Sequence, residues 1–405
     1  MAKVKEKKPL EKKNWTQNFT LVGKACINDY TFKIDERSNK SDWIYNSINL
    51  DVDCGEKYGK VRCELMGGYG AEREFNPPLY VHGKDENGRD DFKNTYQIAF
   101  EDRLNEEYLE DVGDLCFLYA GIEKDVEGKT AVYKYLHAYD YIKYLSENLK
   151  DGMEVRVTGQ LRYTVYNGNV QVRKDISRIY LKRETDKCEA TFKQTILINK
   201  DSVGKPDKDK CIIPVTGFVL EKFKEYNGND LTEGGTVKGG KFVPLRKVYE
   251  YEFSPEVEPD ALKRALGLMF KVKKGYNQVT YEGVFVEGGA VVKTTYNDLT
   301  DEIKEMVDAN IYTLDEALAI CTENTGRERR MILRKPIIEL VGEEGSKVAQ
   351  VRKIENIYSD EDFMLDYLIA HEDEEEEDPE IAATEETEEA ADEVADLSWM
   401  ENLGV

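Results

Sequence analysis

The sequence predicts a mainly β chain with some α structure: a small closed strand barrel, a second β-rich domain and an acidic tail. Three observations carry this. Aromatic residues make up 10% of the 405, with 25 Tyr among them, and such rings favour pleated, half-buried strands. Residues 154–166 alternate apolar and polar side chains, the period of a strand with one buried face. Residues 360–405 hold 20 acidic side chains and no Lys or Arg, too much charge for too little apolar surface to make a core. The length suits two or three domains at roughly 100–200 residues each. The expected boundaries are a basic N-terminal arm over 1–14, a barrel domain over 15–185, a second β-rich domain over 186–358 and a disordered tail over 359–405.

The barrel rests on residues 151–183. Val155, Val157, Leu161, Tyr163 and Val165 share one parity, while Arg156, Thr158, Gln160, Arg162, Thr164 and Tyr166 share the other. Successive strand side chains point to opposite faces, so the inner side is apolar and the outer side polar and basic. Asn167-Gly168 supplies the φ > 0 residues of a tight reversal. The return strand is expected to turn Val170 and Val172 inward and Gln171 and Arg173 outward. A third short strand should follow, with Ile179 and Leu181 inward and Arg178, Tyr180 and Lys182 outward. Gly159 marks a bend of the kind a small barrel needs at a corner.

Upstream, residues 139–149 read as a helix with Tyr141, Ile142, Leu145 and Leu149 on one face, ended by Asp151-Gly152. Residues 18–27, 43–54 and 60–65 read as strands. In the second of these, Ile44, Ile48, Leu50, Val52 and Cys54 point inward, and Trp43, Tyr45, Ser47 and Asn49 outward. Three strands, a helix and a strand hairpin is the order of an oligonucleotide-binding (OB) barrel. Residues 68–130 form an insertion in it, with an added helix around Leu104–Val112.

The second domain offers strands at 191–199, 211–226, 242–253, 277–288 and 329–340. Helices are expected at Pro259–Met269, Leu299–Asp308 and Leu314–Cys321, the last N-capped by Thr313 with Glu316 as its box partner. Val157-Thr158-Gly159 before Tyr166-Asn167-Gly168-Asn169 is echoed by Val215-Thr216-Gly217 before Tyr226-Asn227-Gly228-Asn229, which suggests that this domain is a second OB-like barrel.

Charge placement decides what partners are open. The formal charge is -24, but taking the tail's 20 acids from the total of 81 leaves 61 against 57 bases, a charge of only -4 on the body. The acidic balance therefore does not exclude a nucleic-acid partner. The first 13 residues add six Lys against two Glu. Seven scattered cysteines without a C-x-x-C pair point to reduced thiols packed as small hydrophobes. Three separated histidines give no metal centre, and no cofactor or metal is expected. No apolar run of about 18 residues suggests a membrane span, and the Lys-rich start leads into Asn14-Trp15-Thr16-Gln17-Asn18, unlike a signal peptide. A cytoplasmic protein without a membrane partner is expected.

The strongest candidate site is the outer barrel face. Between Arg156 and Arg183 lie seven basic residues (Arg156, Arg162, Arg173, Lys174, Arg178, Lys182, Arg183) and one acid, Asp175. Tyr166 and Tyr180 interleave with them, and Trp43 and Tyr45 share the outer side of a neighbouring strand. Cations suit phosphates, and rings stack on any base because every base has a π face. The plain alternative is a solvated β face. Asp51 and Asp53 share one side of a strand and could be argued as a two-carboxylate nuclease site, but no third acid is clustered with them. Gly234–Gly240 lacks the Lys-Ser/Thr pair of a phosphate loop and reads as a hairpin tip whose Lys238, with Lys241 beyond it, could touch backbone. Arg327, Arg329 and Arg330, followed by Arg334 and Lys335, form a second basic cluster. No Ser/His/Asp or Cys/His arrangement is recoverable, so no catalytic residue is expected.

The run Leu149-x-x-Gly152-x-x-Val155-x-Val157-x-Gly159-x-Leu161, with Tyr166-Asn167-Gly168 beyond, resembles the OB-fold single-stranded DNA-binding proteins of bacteriophages and bacteria. The resemblance covers residues 15–183. It implies DNA binding by Trp43, Tyr45, Tyr166 and Tyr180 as stacking platforms and by Arg156, Arg162, Arg173 and Arg178 as phosphate partners. It also implies that the acidic tail competes for that face and recruits replication or recombination proteins through its apolar tip, Leu397, Trp399, Met400 and Leu403. The family's bacterial members close on Pro-Phe, whereas this chain closes on Trp399-Met400-Glu401-Asn402-Leu403-Gly404-Val405. Their low-complexity linker is absent, and the second domain has no counterpart in them. The expected function is non-enzymatic binding of single-stranded DNA, with RNA as the other strand to test, in replication or recombination. The alternative is a viral structural, assembly or protein-interaction component.

Overall fold

The computed structural model describes residues 8–226, 229–231, 240–291, 299–309, 311–314, 317, 324–342 and 346–363. The chain is mainly β with some α. Numbering only the elements of its two strand rings, the first ring comprises β1 (Gln17–Cys26), β2 (Trp43–Asp53), β3 (Lys60–Gly70), α1 (Ala138–Asn148), β4 (Glu154–Tyr166) and β5 (Asn169–Leu181). β1 pairs with β2, β2 with β3, β5 with β4 and β4 with β1, all antiparallel, while β3 meets β5 in parallel at Glu64 and Asp175. That circuit is closed, with the helix between its third and fourth strands: an OB barrel.

The alternation read from the sequence is what fills it. Ile48, Leu50, Val52, Val155, Val157 and Leu161 are fully buried. α1 adds Tyr141, Ile142 and Leu145, all at 0% exposure, and the His137 side chain accepts the Tyr139 N–H at its start. Asn167 and Gly168 make the tight turn with φ of 49° and 74°.

One expected boundary is corrected. β5 is a single strand, where two short ones were read. Val170, Val172 and Ile176 share one parity and Ile179 and Leu181 the other because the register slips between Ile176 and Arg178. A β-bulge adds one residue and flips the faces beyond it, which a strict period-two reading divides into two strands. The same parity turns Lys174 inward. Opposite the bulge, a Cβ on Gly159 would overlap the Asp175 carbonyl and the Phe19 ring, so this corner requires glycine.

The second half repeats the circuit. Its elements are β6 (Glu189–Ile198), β7 (Ile212–Phe223), β8 (Lys241–Glu252), α2 (Pro259–Phe270), β9 (Tyr276–Val291) and β10 (Asn324–Pro336). β6–β7, β7–β8, β10–β9 and β9–β6 are antiparallel, and β8 meets β10 in parallel at Glu250 and Ile332. The echo that suggested this repeat falls on unlike strands, however: Val157-Thr158-Gly159 lies on the fourth strand of its ring and Val215-Thr216-Gly217 on the second of the other. The equivalent of Gly159 is Gly283 on β9. There a Cβ would overlap Phe192 and the Ile332 carbonyl, again beside a register slip.

The rings are joined edge to edge. β1 pairs antiparallel with β6, Phe19 opposite Phe192 and Thr20 opposite Thr191, so one sheet and one core cluster cross the 185/186 boundary. Lys174 and Glu287 form a buried ion pair between the rings, with the ammonium 4.8 Å from the centre of the Phe285 ring. The Glu287 N–H donates to the Tyr58 carbonyl at 2.9 Å. Residues 8–14 of the expected basic arm are docked. Leu10 is buried with Tyr276, Ile357 and Tyr358, and Lys12 pairs with Glu221 at 3.1 Å. Asp360–Phe363, read as the start of the tail, forms a helical turn whose Phe363 stacks on Tyr276 at 3.8 Å.

The insertion has its own small core of Val81, Ile98, Leu109, Val112 and Phe117, and its expected helix is the short turn Glu106–Leu109. Helices at Pro259–Phe270 and Asp301–Asp308 match the expected positions. Most of Leu314–Cys321, including Glu316, lies outside the described residues. Strands at Val348–Val351 and Lys353–Tyr358 were not read from the sequence. Among the described residues no helix is long and apolar enough to cross a membrane.

Removing one partner of a buried ion pair strands the other charge, at a cost of about 3–5 kcal/mol. Glu287→Ala should therefore lower the unfolding free energy in urea by that amount, whereas Lys174→Met/Glu287→Met should recover most of it. Equal losses in the two variants would show that this pair does not join the rings.

Candidate nucleic-acid interface

The hairpin of β4 and β5 presents its predicted outer residues on one face. Across the two strands Arg156 faces Tyr180, Thr158 faces Arg178, Arg162 faces Arg173 and Tyr166 faces Asn169. Arg156 and Tyr166 are ten residues apart, about 33 Å at strand rise, so these groups form a stripe. Tyr166 crowns the hairpin at 64% exposure.

Neighbouring strands change the charge of this stripe. Counted along the hairpin it has one acid; in the fold most of its cations have carboxylate partners. Arg162 pairs with Asp175 at 2.9 Å, and Arg173 with Glu64 on β3 and with Asp175 at 3.6 Å. Arg156 lies 3.7 Å from both Asp186 and Glu189, and Lys182 is 3.1 Å from Glu154. Lys174 points into the protein. The expected +6 face is thus largely neutralised, because β3 and the 186–189 segment bring acids that a one-dimensional count leaves out. Arg178 and Arg183 are the exceptions. No described carboxylate pairs with either side chain, and the Arg178 guanidinium sits 5.2 Å from the centre of the Tyr119 ring.

The aromatic groups divide along the stripe. Tyr45 and Arg173 line one groove of about 240 Å³ with Lys33, Asn49, Glu64 and Met66. Trp43, two residues from Tyr45 on the same face of β2, is half-buried and lies against Gly68. Tyr180 lies at the far end against Gly121, on the insertion strand Leu118–Lys124 that pairs with β5. Burial pushes the Tyr180 hydroxyl up, and Arg178 partly opposes this.

Two features escaped sequence reasoning because they join distant segments. The first is a cleft of about 510 Å³ where the rings meet. Its floor is Asn18 and Thr20 of β1, Thr158 and Gln160 of β4 and Thr191 of β6, its cations are Arg178 and Lys193, and residues 115–118 of the insertion overhang it. Lys193 has no ion-pair partner among the described residues. Folding also brings His82 and Asp90 together behind Cys116, which lines its wall. The second is a cavity of about 180 Å³ between the hairpin and the second ring, lined by Lys174, Lys247, Glu287, Arg329 and Arg330 among others. Burial and the nearby Lys174 push the Lys247 ammonium down, a cost that an entering anion would relieve.

Other readings resolve on local contacts. Asp51 takes two hydrogen bonds from Arg62 at 3.0 and 2.9 Å, and Asp53 accepts the Gly55 N–H, so both have structural partners. No group of three or more metal-ligating side chains is present among the described residues. In the second basic cluster Arg330 pairs with Glu250 and Glu252, Arg334 with Glu252 and Lys335 with Glu282. The Arg327 side chain, Gly234–Gly239 with Lys238, and the tail residues Leu397, Trp399, Met400 and Leu403 lie outside the described residues. No known family model matches the chain, and no curated protein matches it.

Asp175 sits between two arginines, yet burial pushes its carboxyl up more than Arg173 and Arg162 draw it down. The folded chain therefore holds this proton more tightly than the unfolded chain, and stability falls as pH rises above about 4. Asp175→Asn should flatten that fall, measured as urea midpoints between about pH 4 and 7 against the parent chain. An unchanged slope would remove the burial cost from the site.

Proposed function

We propose that this protein is a non-enzymatic single-stranded DNA-binding protein of replication or recombination, holding its strand along the outer face of the joined rings. The observation that carries this reading is the cleft at their junction. There one polar sheet face passes from β4 through β1 to β6 and presents Arg178 and Lys193, two cations that no described carboxylate neutralises. Tyr180 borders this end, while Tyr45, Trp43 and Tyr166 offer rings farther along the stripe.

Magnitudes favour stacking as the main source of affinity. A ring under a base contributes about 1–3 kcal/mol, whereas an exposed ion pair such as Arg156–Glu189 contributes only about 0–1 kcal/mol. Exchanging that carboxylate for a phosphate is therefore nearly neutral. Three of the cations without carboxylate partners, those lining the cleft and the cavity between the rings (Arg178, Lys193 and Lys247), give a salt slope near -2, at about -0.7 per phosphate on a single strand. The tail would compete as a polyanion for those same cations, and its apolar tip would recruit partner proteins. A protein-interaction role for the same β surfaces is the competing reading.

Titrating homopolymer DNA and RNA against the chain truncated after Phe363 decides between them. Binding is expected with a log–log salt slope near -2, a loss of about 1–3 kcal/mol in Tyr45→Ala or Tyr166→Ala, and a slope shallower by about 0.7 in Arg178→Ala. The full chain should bind more weakly at low salt. No binding to either polymer at low salt would favour the protein-interaction reading.

A further inference from the structure

The cavity between the hairpin and the second ring carries charge where strand alternation calls for apolar side chains. On β5, Val170, Val172, Lys174 and Ile176 share one parity; on β8, Val243, Leu245, Lys247 and Tyr249 do. The neighbours of Lys247 on that face, Leu245 and Tyr249, are 1% and 0% exposed. Each ring thus sends one lysine from an apolar strand face into the same space of about 180 Å³. The carboxylate that lines this space is already taken. Glu287 Oε1 accepts from Lys174, and its Oε2 accepts the Arg62 N–H at 3.3 Å. Arg329 stands opposite Glu287 in register, and no described carboxylate pairs with Arg329 or with Lys247. Arg330 and Arg334 are balanced by Glu250 and Glu252. Counting Lys174, Lys247 and Arg329 against Glu287 leaves a charge of +2 at the cavity.

We propose that this cavity is a binding site for a phosphate-class dianion, held between the rings by Lys174 of the first and by Lys247 and Arg329 of the second. An ammonium taken out of water without a counterion is costly, and a Leu or Met at position 247 would complete the apolar face without that cost. Desolvation, then the positive charge of Lys174, push the Lys247 ammonium down, and a dianion would offset both effects. The volume is that of roughly six waters at about 30 Å³ each, room for one phosphate group with part of its hydration. Two ammoniums and one guanidinium fork suit the oxygens of a tetrahedral anion. A charge of +2 matches free phosphate or a terminal phosphate monoester, which carries about -1.5 to -2 at neutral pH, better than a singly charged phosphodiester. Two sources share this chemistry: free inorganic phosphate and the 5′-phosphate at the end of a nucleic-acid strand. The second source rests on the DNA-binding reading; the anion site itself does not.

The test uses the full chain and inorganic phosphate, titrated calorimetrically at constant ionic strength. One phosphate is expected per chain, and Lys247→Met and Arg329→Gln should each weaken it by roughly tenfold or more, the worth of a hydrogen bond to a charged group. Lys174 is left in place, since its loss would strand Glu287. Without phosphate, the urea midpoint of Lys247→Met should be no lower than the parent's, because the variant removes an uncompensated buried charge. No saturable binding up to about 10 mM phosphate, or binding indifferent to both substitutions in folded protein, overturns the proposal. A binding loss that comes only with a lower urea midpoint overturns its assignment to Lys247. Oligonucleotides that differ only in carrying a 5′-phosphate or a 5′-hydroxyl then distinguish the sources. Tighter binding of the phosphorylated strand, lost in Lys247→Met and in saturating phosphate, assigns the site to strand ends; equal binding of the two assigns it to free phosphate. If the chain binds phosphate but neither oligonucleotide, the DNA-binding reading fails and the anion site stands. If it binds both oligonucleotides but no phosphate, the anion site fails and the DNA-binding reading stands.

Discussion

The pairing of β1 with β6 is the constraint on which the rest depends. A closed ring has no free edge, so two closed rings would ordinarily meet only through side chains. Here each first strand serves two neighbours on one edge in succession. Residues 17–22 of β1 pair with β6, and residues 24–26 swing away to close the first ring against β2. Gly23 stands at the switch, where a Cβ would overlap the Asp53 carbonyl. The sheet is therefore continuous from one ring to the other. Phe19 and Phe192 are buried on one side of it, and Thr20 and Thr191 line the cleft on the other. The Lys174–Glu287 pair fixes a second point of contact, so the rings are held at an edge and at a buried charge.

What the sequence revealed followed from local periodicity. The alternation in 154–166, the Asn167-Gly168 turn and the 141/142/145/149 helix face each depend on near neighbours, and the structure keeps all three. What it concealed depended on partners far along the chain. The bulge after Ile176 changes the parity of β5 in answer to the close approach of Gly159, Phe19 and the Asp175 carbonyl. The ring repeat was anticipated from a tripeptide on unlike strands, while the matched pair Gly159 and Gly283 is defined by what each touches. The arginines were placed on the correct face, but their charge was misjudged because Glu64, Asp186 and Glu189 arrive from other segments. Cys116 and His82 are 34 residues apart, and no spacing rule pairs them.

The insertion turns an exposed surface into a cleft. A bare five-stranded ring offers its outer face to solvent along its whole length, and a strand lying there would meet one wall. Residues 118–124 pair with β5 only at Arg178–Tyr180, just beyond the bulge where β5 has parted from β3. The bulge thus serves two purposes: it rotates Arg178 to the outer face and frees the edge on which the insertion docks. Once docked, the insertion sets Tyr119 under Arg178 and carries residues 115–118 over β4 and β1. The cation is then held by a ring, which leaves its positive charge available, whereas Arg162 and Arg173 are held by carboxylates.

That difference bears on how such a face can release what it holds. A trough of unpaired arginines would gain most of its affinity from counterion release and would be slow to let go at low salt. A trough whose arginines are already paired gains little from each phosphate, since one exposed ion pair is traded for another of similar worth. On the proposed DNA-binding reading, affinity would rest on ring stacking along the stripe and on the few unpaired cations gathered at the ring junction. A polyanionic segment of the same chain, which has no bases to stack, can compete only for those few. Competition would thus be felt at the junction, beneath the Cys116 overhang, and would leave the Tyr166 end of the hairpin largely untouched.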